Sequence, residues 1–476
     1  MTETAIAPKS NLFQPPVKEE MIEQSGQKSF FLSVLFAVSL AATLLAGQGL
    51  WIAAAGWAFL CMFFLIDLRF SFYALFFFAA WFQPAGFFSK SLIFSLKHFQ
   101  LAFLLSVAAH AVNRNPLKLF RQGIPQSKPL YPVLLLLGIG VFNFFRLHAP
   151  FQALRITINV FFIMLALFYL MGIKNELTGP SANPEILKRS ILLFILGVVA
   201  QAILAFQNTI VHTDFLDLPL FHNNHLGILC AFTSFYALGL FLAENDRKLK
   251  WIQGFFLFIL LGTMIASCSR TAWFSFLISF AVFLNLGFRY LPAPDRFRIR
   301  RRDAFHFILL AIALLLILGR SFEMVGKRFE EIPRLFDWKY WQYTLADTQN
   351  FGFLGILRLR QMYALKDILR AHPLLGTGFL RSVTDFHGLY FCVLAATGFS
   401  GLLLMAKFCR DLLSLMLERL RDPREDSRFF FLRLGSYAAF LTWLFCSFME
   451  TYFVQFSAWI TVWMVLAALQ DPRRAL

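Results

Sequence analysis

Arg270 lies in the stretch SCSRTAW, between two long apolar runs. A guanidinium in such a place is costly and takes an anionic partner. Two readings fit: an arginine reaching lipid headgroups, or one gripping a phosphate-bearing ligand, two of whose oxygens its fork can bond at once. Arg358 opens GILRLRQMYALKDILRAHP, where Met362, Leu365 and Leu369 follow it at helical spacing, so it heads an apolar stripe. It is either an ordinary helix-end charge or a group pointing into protein or membrane. The helix is expected to stop ahead of Pro373. Arg360 falls about 200° round the same helix, on the polar face with Asp367 and Arg370. His387 ends a polar stretch and opens an apolar run, with Arg381 and Asp385 just before it. A neutral imidazole accepts a proton near pH 7, which suits a general base; the bland alternative is an interfacial His bonded to backbone or lipid. Asp385 would orient that ring only if the backbone there is irregular. Asn223, Asn224 and His225 begin another apolar run, as a helix cap or as sugar-binding groups. His372, directly before a proline, reads as structural.

What must position these residues is a chain of 476 residues that is 58% hydrophobic, only 15% charged, and carries 62 Phe. Soluble domains are about 45–50% apolar and about 25% charged. No soluble core hides this much apolar surface, so the composition predicts an all-α, polytopic integral membrane protein. Crossing about 30 Å of hydrocarbon takes about 17–25 residues. Fourteen such runs are expected, at 29–46, 49–66, 70–87, 95–112, 130–146, 151–172, 189–207, 222–243, 251–267, 270–288, 304–319, 386–408, 428–447 and 451–469. The resulting organisation is a polar tail (1–28), transmembrane helices (29–187), further helices carrying the Ser-Arg motif (188–319), a long loop (320–385), the last helices (386–470) and a short tail (471–476). The first apolar run is followed by no small-residue cleavage site and is expected to be an uncleaved helix. Cys61, Cys230, Cys268, Cys392, Cys409 and Cys446 lie in or beside apolar runs without CxxC pairing, so neither a disulfide nor a metal site is expected.

The net charge of +17 sorts by loop. One alternate set holds most of the basic residues: Lys9, Lys18 and Lys28, Arg69, Arg114 to Lys128, Lys174 to Arg189, Arg247 to Lys250, FRYLPAPDRFRIRRRD, 409–428, and Arg473 with Arg474. The opposite short loops hold only Lys90, Lys97, Arg146, Arg155 and Arg270. The positive-inside rule then predicts cytoplasmic termini and an external 320–385 loop, with the basic loops facing anionic lipid. RFRIRRRD is short and lies between spans, which makes it an orientation signal and not a nucleic-acid site. A transporter or flippase is the rival class; such proteins carry ionisable groups at mid-membrane and repeated halves. Here Asp67, Arg155 and Glu450 fall near span ends and no repeat is visible.

Over roughly residues 190–470 the chain resembles the O-antigen ligase family, which includes O-antigen and exopolysaccharide polymerases. Three pieces carry the resemblance in order and spacing: NNHLG followed one span later by SRTAWFSFLISF; RLRQMYALKDILRAHPLLGTG; and FHGLYFCVLAATGFSGLLL. The resemblance implies a GT-C-like membrane glycosyltransferase on the periplasmic face of a bacterial inner membrane. Its donor would be a glycan on undecaprenyl diphosphate and its acceptor lipid A–core or a growing glycan, with no metal, cofactor or nucleotide sugar. It gives catalytic roles to Arg270, Arg358 and His387, and leaves Arg360, Arg381, Asp385, Asn223, Asn224 and His225 as substrate-binding candidates. Gly388 stands where the family often has Asn or Ser, and Ala396 where it often has an acidic residue. Two N-terminal spans are additional to a common twelve-span layout. Ligation, repeat-unit polymerisation and protein O-glycosylation are all open as outcomes.

Overall fold

In lipid every backbone polar group must be satisfied within its own segment, which makes long apolar runs helical. A computed structural model of the protein describes residues 68–80, 98–113, 115–147, 151–178, 184–212, 223–290, 364–378, 388–421, 427–448 and 456–469. Regular structure among these residues is helical throughout. The helices are α1 (Leu68–Ala79), α2 (His98–Asn113), α3 (Pro116–Gly123), α4 (Tyr131–Arg146), α5 (Phe151–Thr178), α6 (Pro184–His212), α7 (Asn223–Ala243), α8 (Arg247–Ala266), α9 (Arg270–Tyr290), α10 (Leu389–Leu420), α11 (Ser427–Ser447) and α12 (Phe456–Leu469). Eight helices among the described residues are long and apolar enough to cross a membrane, and three shorter apolar helices accompany them. The protein is thus an all-α polytopic membrane protein. The expected runs 29–46, 49–66 and 304–319 lie outside the described residues, as do the chain ends and most of the 320–385 loop.

The bundle turns large apolar side chains both ways. Leu135, Phe142 and Phe145 on α4 are exposed, as are Trp251 and Phe255 on α8. In a lipid solvent this is the ordinary outside of the protein. Trp443, Trp459 and Trp463 are fully buried and sit in two groups of ring contacts, Trp463 edge-on to Phe72 and Phe76, and Trp443 and Trp459 tilted against each other and against Phe440 and Phe408.

The contact between α7 and α11 sets the height of everything else. The two helices touch backbone to backbone where Gly239 meets Gly435. A Cβ on Gly239 would stand 2.8 Å from the Phe431 carbonyl oxygen, and one on Gly435 2.7 Å from that of Phe235. The register is antiparallel, so the first turn of α7 comes level with the end of α11, each about 18–24 Å from the crossing at 1.5 Å per residue. The Leu434 side chain lies against Gly287 near the end of α9, and a Cβ on Gly227 in the first turn of α7 would stand 2.9 Å from Ser269 Cβ, which brings the start of α9, Arg270, to that same end. We refer to it as the Arg270 end.

Three local outcomes differ from expectation. Lys174 was expected in a loop but is buried within α5. Residues 116–129, expected to be loop, form α3 and most of a 3-10 turn that ends at Leu130. The Asn115 side chain starts α3 by accepting from the Leu117 N–H at 3.0 Å, and α3 then lies on α5 where Gly123 and Gly172 allow direct backbone contact. Finally α10 runs on to Leu420 and breaks internally at Gly398.

Candidate functional site

Arg270 begins α9 immediately after a strained corner. Cys268 holds φ 54°, a left-handed value unusual for any residue but glycine. The corner is fastened by its own hydroxyls: Ser267 Oγ donates to the Met264 carbonyl at 2.7 Å, and Ser269 Oγ accepts from the Ala272 N–H at 3.4 Å as an α9 cap. The Trp273 indole N–H donates to the Met264 carbonyl at 3.0 Å and ties the first turn of α9 back to α8. Gly227 admits this corner to the first turn of α7: a Cβ there would collide with Ser267 Oγ and sit 2.9 Å from Ser269 Cβ. Asn223 opens α7, and Asn224 and His225 are half-buried in that same first turn. The structure therefore brings the Ser-Arg corner and the NNHLG turn together, two stretches that the sequence separates by a full span.

Gly388 arrives at the same end. It has φ 105°, and a Cβ would lie 2.5 Å from the carbonyl oxygen of Phe448, at the end of α11. Only glycine meets both conditions, which explains why an Asn or Ser is not found there. Tyr390 packs its ring on Phe448, with centroids 4.4 Å apart, and its hydroxyl donates to the Leu444 carbonyl at 3.4 Å. His387 directly precedes this anchored residue in the chain. His387, Asp385, Arg381, Arg358 and Arg360 themselves lie outside the described residues.

The described part of the long loop is a helix over 364–371 followed by a turn through Gly378. Leu365 is buried while Asp367 and Arg370 are exposed, in keeping with the apolar stripe and polar face read from their spacing. The turn enters the break in α10. A continuous helix would pair the Phe399 N–H with the Ala395 carbonyl and Ser400 with Ala396; with Gly398 at φ 64° and ψ −163° those partners separate. Each of the four groups finds a replacement in the turn. Phe399 N–H donates to the Pro373 carbonyl at 2.9 Å and Ser400 N–H to Leu374 at 3.2 Å. Thr377 N–H donates to the Ala395 carbonyl at 3.0 Å and Gly378 N–H to Ala396 at 2.7 Å. Unwound backbone at membrane depth is tolerated under this condition, that protein satisfies it.

Two α4 residues complete the arrangement. Asn143 Nδ2 donates to the Leu375 carbonyl and, at 3.1 Å, to that of Ala396; the Arg146 guanidinium donates to the Gly376 carbonyl at 2.6 Å. With the Gly376 N–H on the His372 carbonyl at 3.0 Å, every carbonyl from His372 to Gly376 has a donor. The charge pattern makes Arg146 only a loop charge and does not single out Asn143. The available signal was their i, i+3 spacing at the end of an apolar run, which puts both on one helix face.

The arrangement fixes Arg270 beside polar α7 residues at one end of the bundle, and anchors both flanks of the 379–387 stretch. No protein-family model and no curated protein matches the sequence.

Proposed function

We propose that the protein is a membrane glycosyltransferase of O-antigen ligase type. It would transfer a glycan from undecaprenyl diphosphate to an acceptor sugar on the periplasmic face of a bacterial inner membrane. The full layout would be fourteen spans with cytoplasmic termini, as the loop charges imply. The observation that carries the reading is the packing of the Arg270 corner on the first turn of α7, at the end of the bundle where Gly388 packs on Phe448. These belong to two of the three stretches on which the resemblance rests, the NNHLG–SRTAW pair and the FHGLY run.

The chemistry follows from charge. Breaking the sugar–phosphate bond leaves a lipid diphosphate whose negative charge grows in the transition state. Arg270 and Arg358 stabilise that charge through paired N–H donors. The attacking sugar hydroxyl gives its proton to His387, which Asp385 orients. Asn223, Asn224, His225, Arg360 and Arg381 remain for sugar and phosphate oxygens. A repeat-unit polymerase or a protein O-glycosylating enzyme would use the same groups on another acceptor. One observation favours the rival class: a broken helix like α10 is a common device of secondary transporters.

The deciding experiment is a transfer assay on membranes carrying wild type, Arg270→Ala, Arg358→Ala or His387→Ala. Each substitution is expected to reduce release of undecaprenyl diphosphate at least 100-fold, with normal insertion. Full activity in all three variants rejects the assigned roles. A wild type that moves lipid-linked glycan across the membrane without releasing the carrier identifies a transporter. In a deletion strain, long lipid-linked polymer indicates ligation, and single repeats indicate polymerisation.

A further inference from the structure

The 372–378 turn lies in the chain between Arg358 and His387, and it is not held by its own loop. Its main-chain groups replace the two helical hydrogen bonds that α10 loses at Gly398. The turn is in turn held by α4, an element outside the region of resemblance. Asn143 is fully buried and donates to a carbonyl of the turn and a carbonyl of α10 at once, so it bridges the two halves of the insertion. Arg146 is exposed, yet it directs its guanidinium to the Gly376 carbonyl at 2.6 Å. Gly376 and Gly378 hold φ 63° and 81°, and a Cβ on Gly376 would strike the Ala395 carbonyl. The turn therefore has one way to seat. The stretch leading to His387 starts from Gly378, bonded to Ala396, and ends at Gly388, pressed on Phe448.

We propose that Asn143 and Arg146 are positioning residues for the transfer: they latch the 372–378 turn into the break of α10 and so fix the frame from which Arg358 and His387 act. This rests on the glycosyltransferase reading for its catalytic consequence; the latch itself does not. The substrate touches neither residue in this scheme. Loss of the latch lowers turnover and leaves donor affinity unchanged, because the groups that bind diphosphate are retained but less often aligned.

The test uses the full-length protein in lipid nanodiscs as wild type, Asn143→Ala, Arg146→Ala and Arg146→Lys. Two quantities are measured: hydrogen exchange at the Thr377, Gly378, Phe399 and Ser400 amides, and kcat and KM for release of undecaprenyl diphosphate from lipid-linked glycan of native membranes. Arg146→Ala is the safeguard should Asn143→Ala fail to fold, since its side chain is exposed. Both alanine variants are expected to exchange these four amides about tenfold faster and to lose about tenfold or more in kcat at unchanged KM. Arg146→Lys, which keeps a donor for the Gly376 carbonyl, is expected to recover most of both. Unchanged exchange in the alanine variants overturns the latch. Faster exchange with wild-type kcat overturns its catalytic role. A raised KM with normal exchange makes Arg146 a direct diphosphate ligand and likewise overturns the proposal. If the wild type releases no carrier, the glycosyltransferase reading and the catalytic role fall together, while exchange still decides the latch.

Discussion

Gly388 shows how one atom's worth of space can outweigh a residue preference. Its φ of 105° is outside the range open to side-chain-bearing residues, and the Phe448 carbonyl occupies the Cβ position. Gly388→Ser would restore the residue type common in the resembling family at this place. It is nevertheless expected to destabilise the protein by about 3 kcal/mol, seen as a lowered thermal midpoint in detergent. A midpoint equal to wild type would mean that α11 yields there without cost. Cys268 is the converse case, a left-handed residue that is not glycine. Its strain sits two residues before Arg270 and is held by the Ser267 and Ser269 hydroxyls. Arg270 was legible in the sequence because a charge between apolar runs is conspicuous. The strain was not, since backbone angles at a Ser-Cys-Ser corner are set by what packs around it.

Helices were legible to the extent that each satisfies itself. The expected 130–146 and 270–288 became α4 and α9 within a few residues, because an apolar run in lipid has no other means of pairing its backbone. The break in α10 could not be read in the same way. AATGFS resembles any small-residue stretch of a membrane helix, and the groups that complete it lie in another part of the chain. The corner between α7 and α8 offers a prediction independent of any activity. Glu244 accepts from the Asn245 and Asp246 N–H groups at 2.9 and 3.1 Å and pairs with Lys188 at 2.6 Å. Burial alone would raise its pKa, but the Lys188 ammonium and those two N–H groups outweigh it and hold the carboxyl below the usual value. A carboxyl depressed on folding stabilises the protein above its unfolded pKa, and that contribution fades as pH falls through the folded one. Glu244→Gln should therefore cost about 1–2 kcal/mol at pH 7. The gap to wild type should narrow on acidification below about pH 4, which thermal unfolding in detergent at both pH values would check. A gap independent of pH would assign the cost to packing and not to charge.

The bundle has the character of a lever set, with its fulcrum at the α7–α11 crossing. Gly239 and Gly435 let two backbones touch, and the residues of interest lie about 18–24 Å up the two helices, where α7 begins and α11 presents Phe448 to Gly388. A Cβ on Gly435 would stand 2.7 Å from the Phe235 carbonyl oxygen, too close for any real contact, so the helices must part. Overpacking of this kind costs about 1–3 kcal/mol. Its larger consequence falls at the Arg270 end, because a shift at the crossing changes the separation of the NNHLG turn from the Gly388 anchor. If the proposed glycan transfer is the activity, Gly435→Ala is thus expected to lower carrier release about tenfold, an effect in the range produced when positioned groups are misplaced by about 1 Å, in a protein that still inserts. Gly262→Ala is the matched comparison: its Cβ would meet nothing within 4 Å, and in a helix interior the change is neutral or mildly stabilising. Equal behaviour of the two variants in melting and in transfer would show that the crossing does not set the geometry of that end. A fall confined to Gly435→Ala would tie the geometry of the Arg270 end to the backbone contact at the α7–α11 crossing.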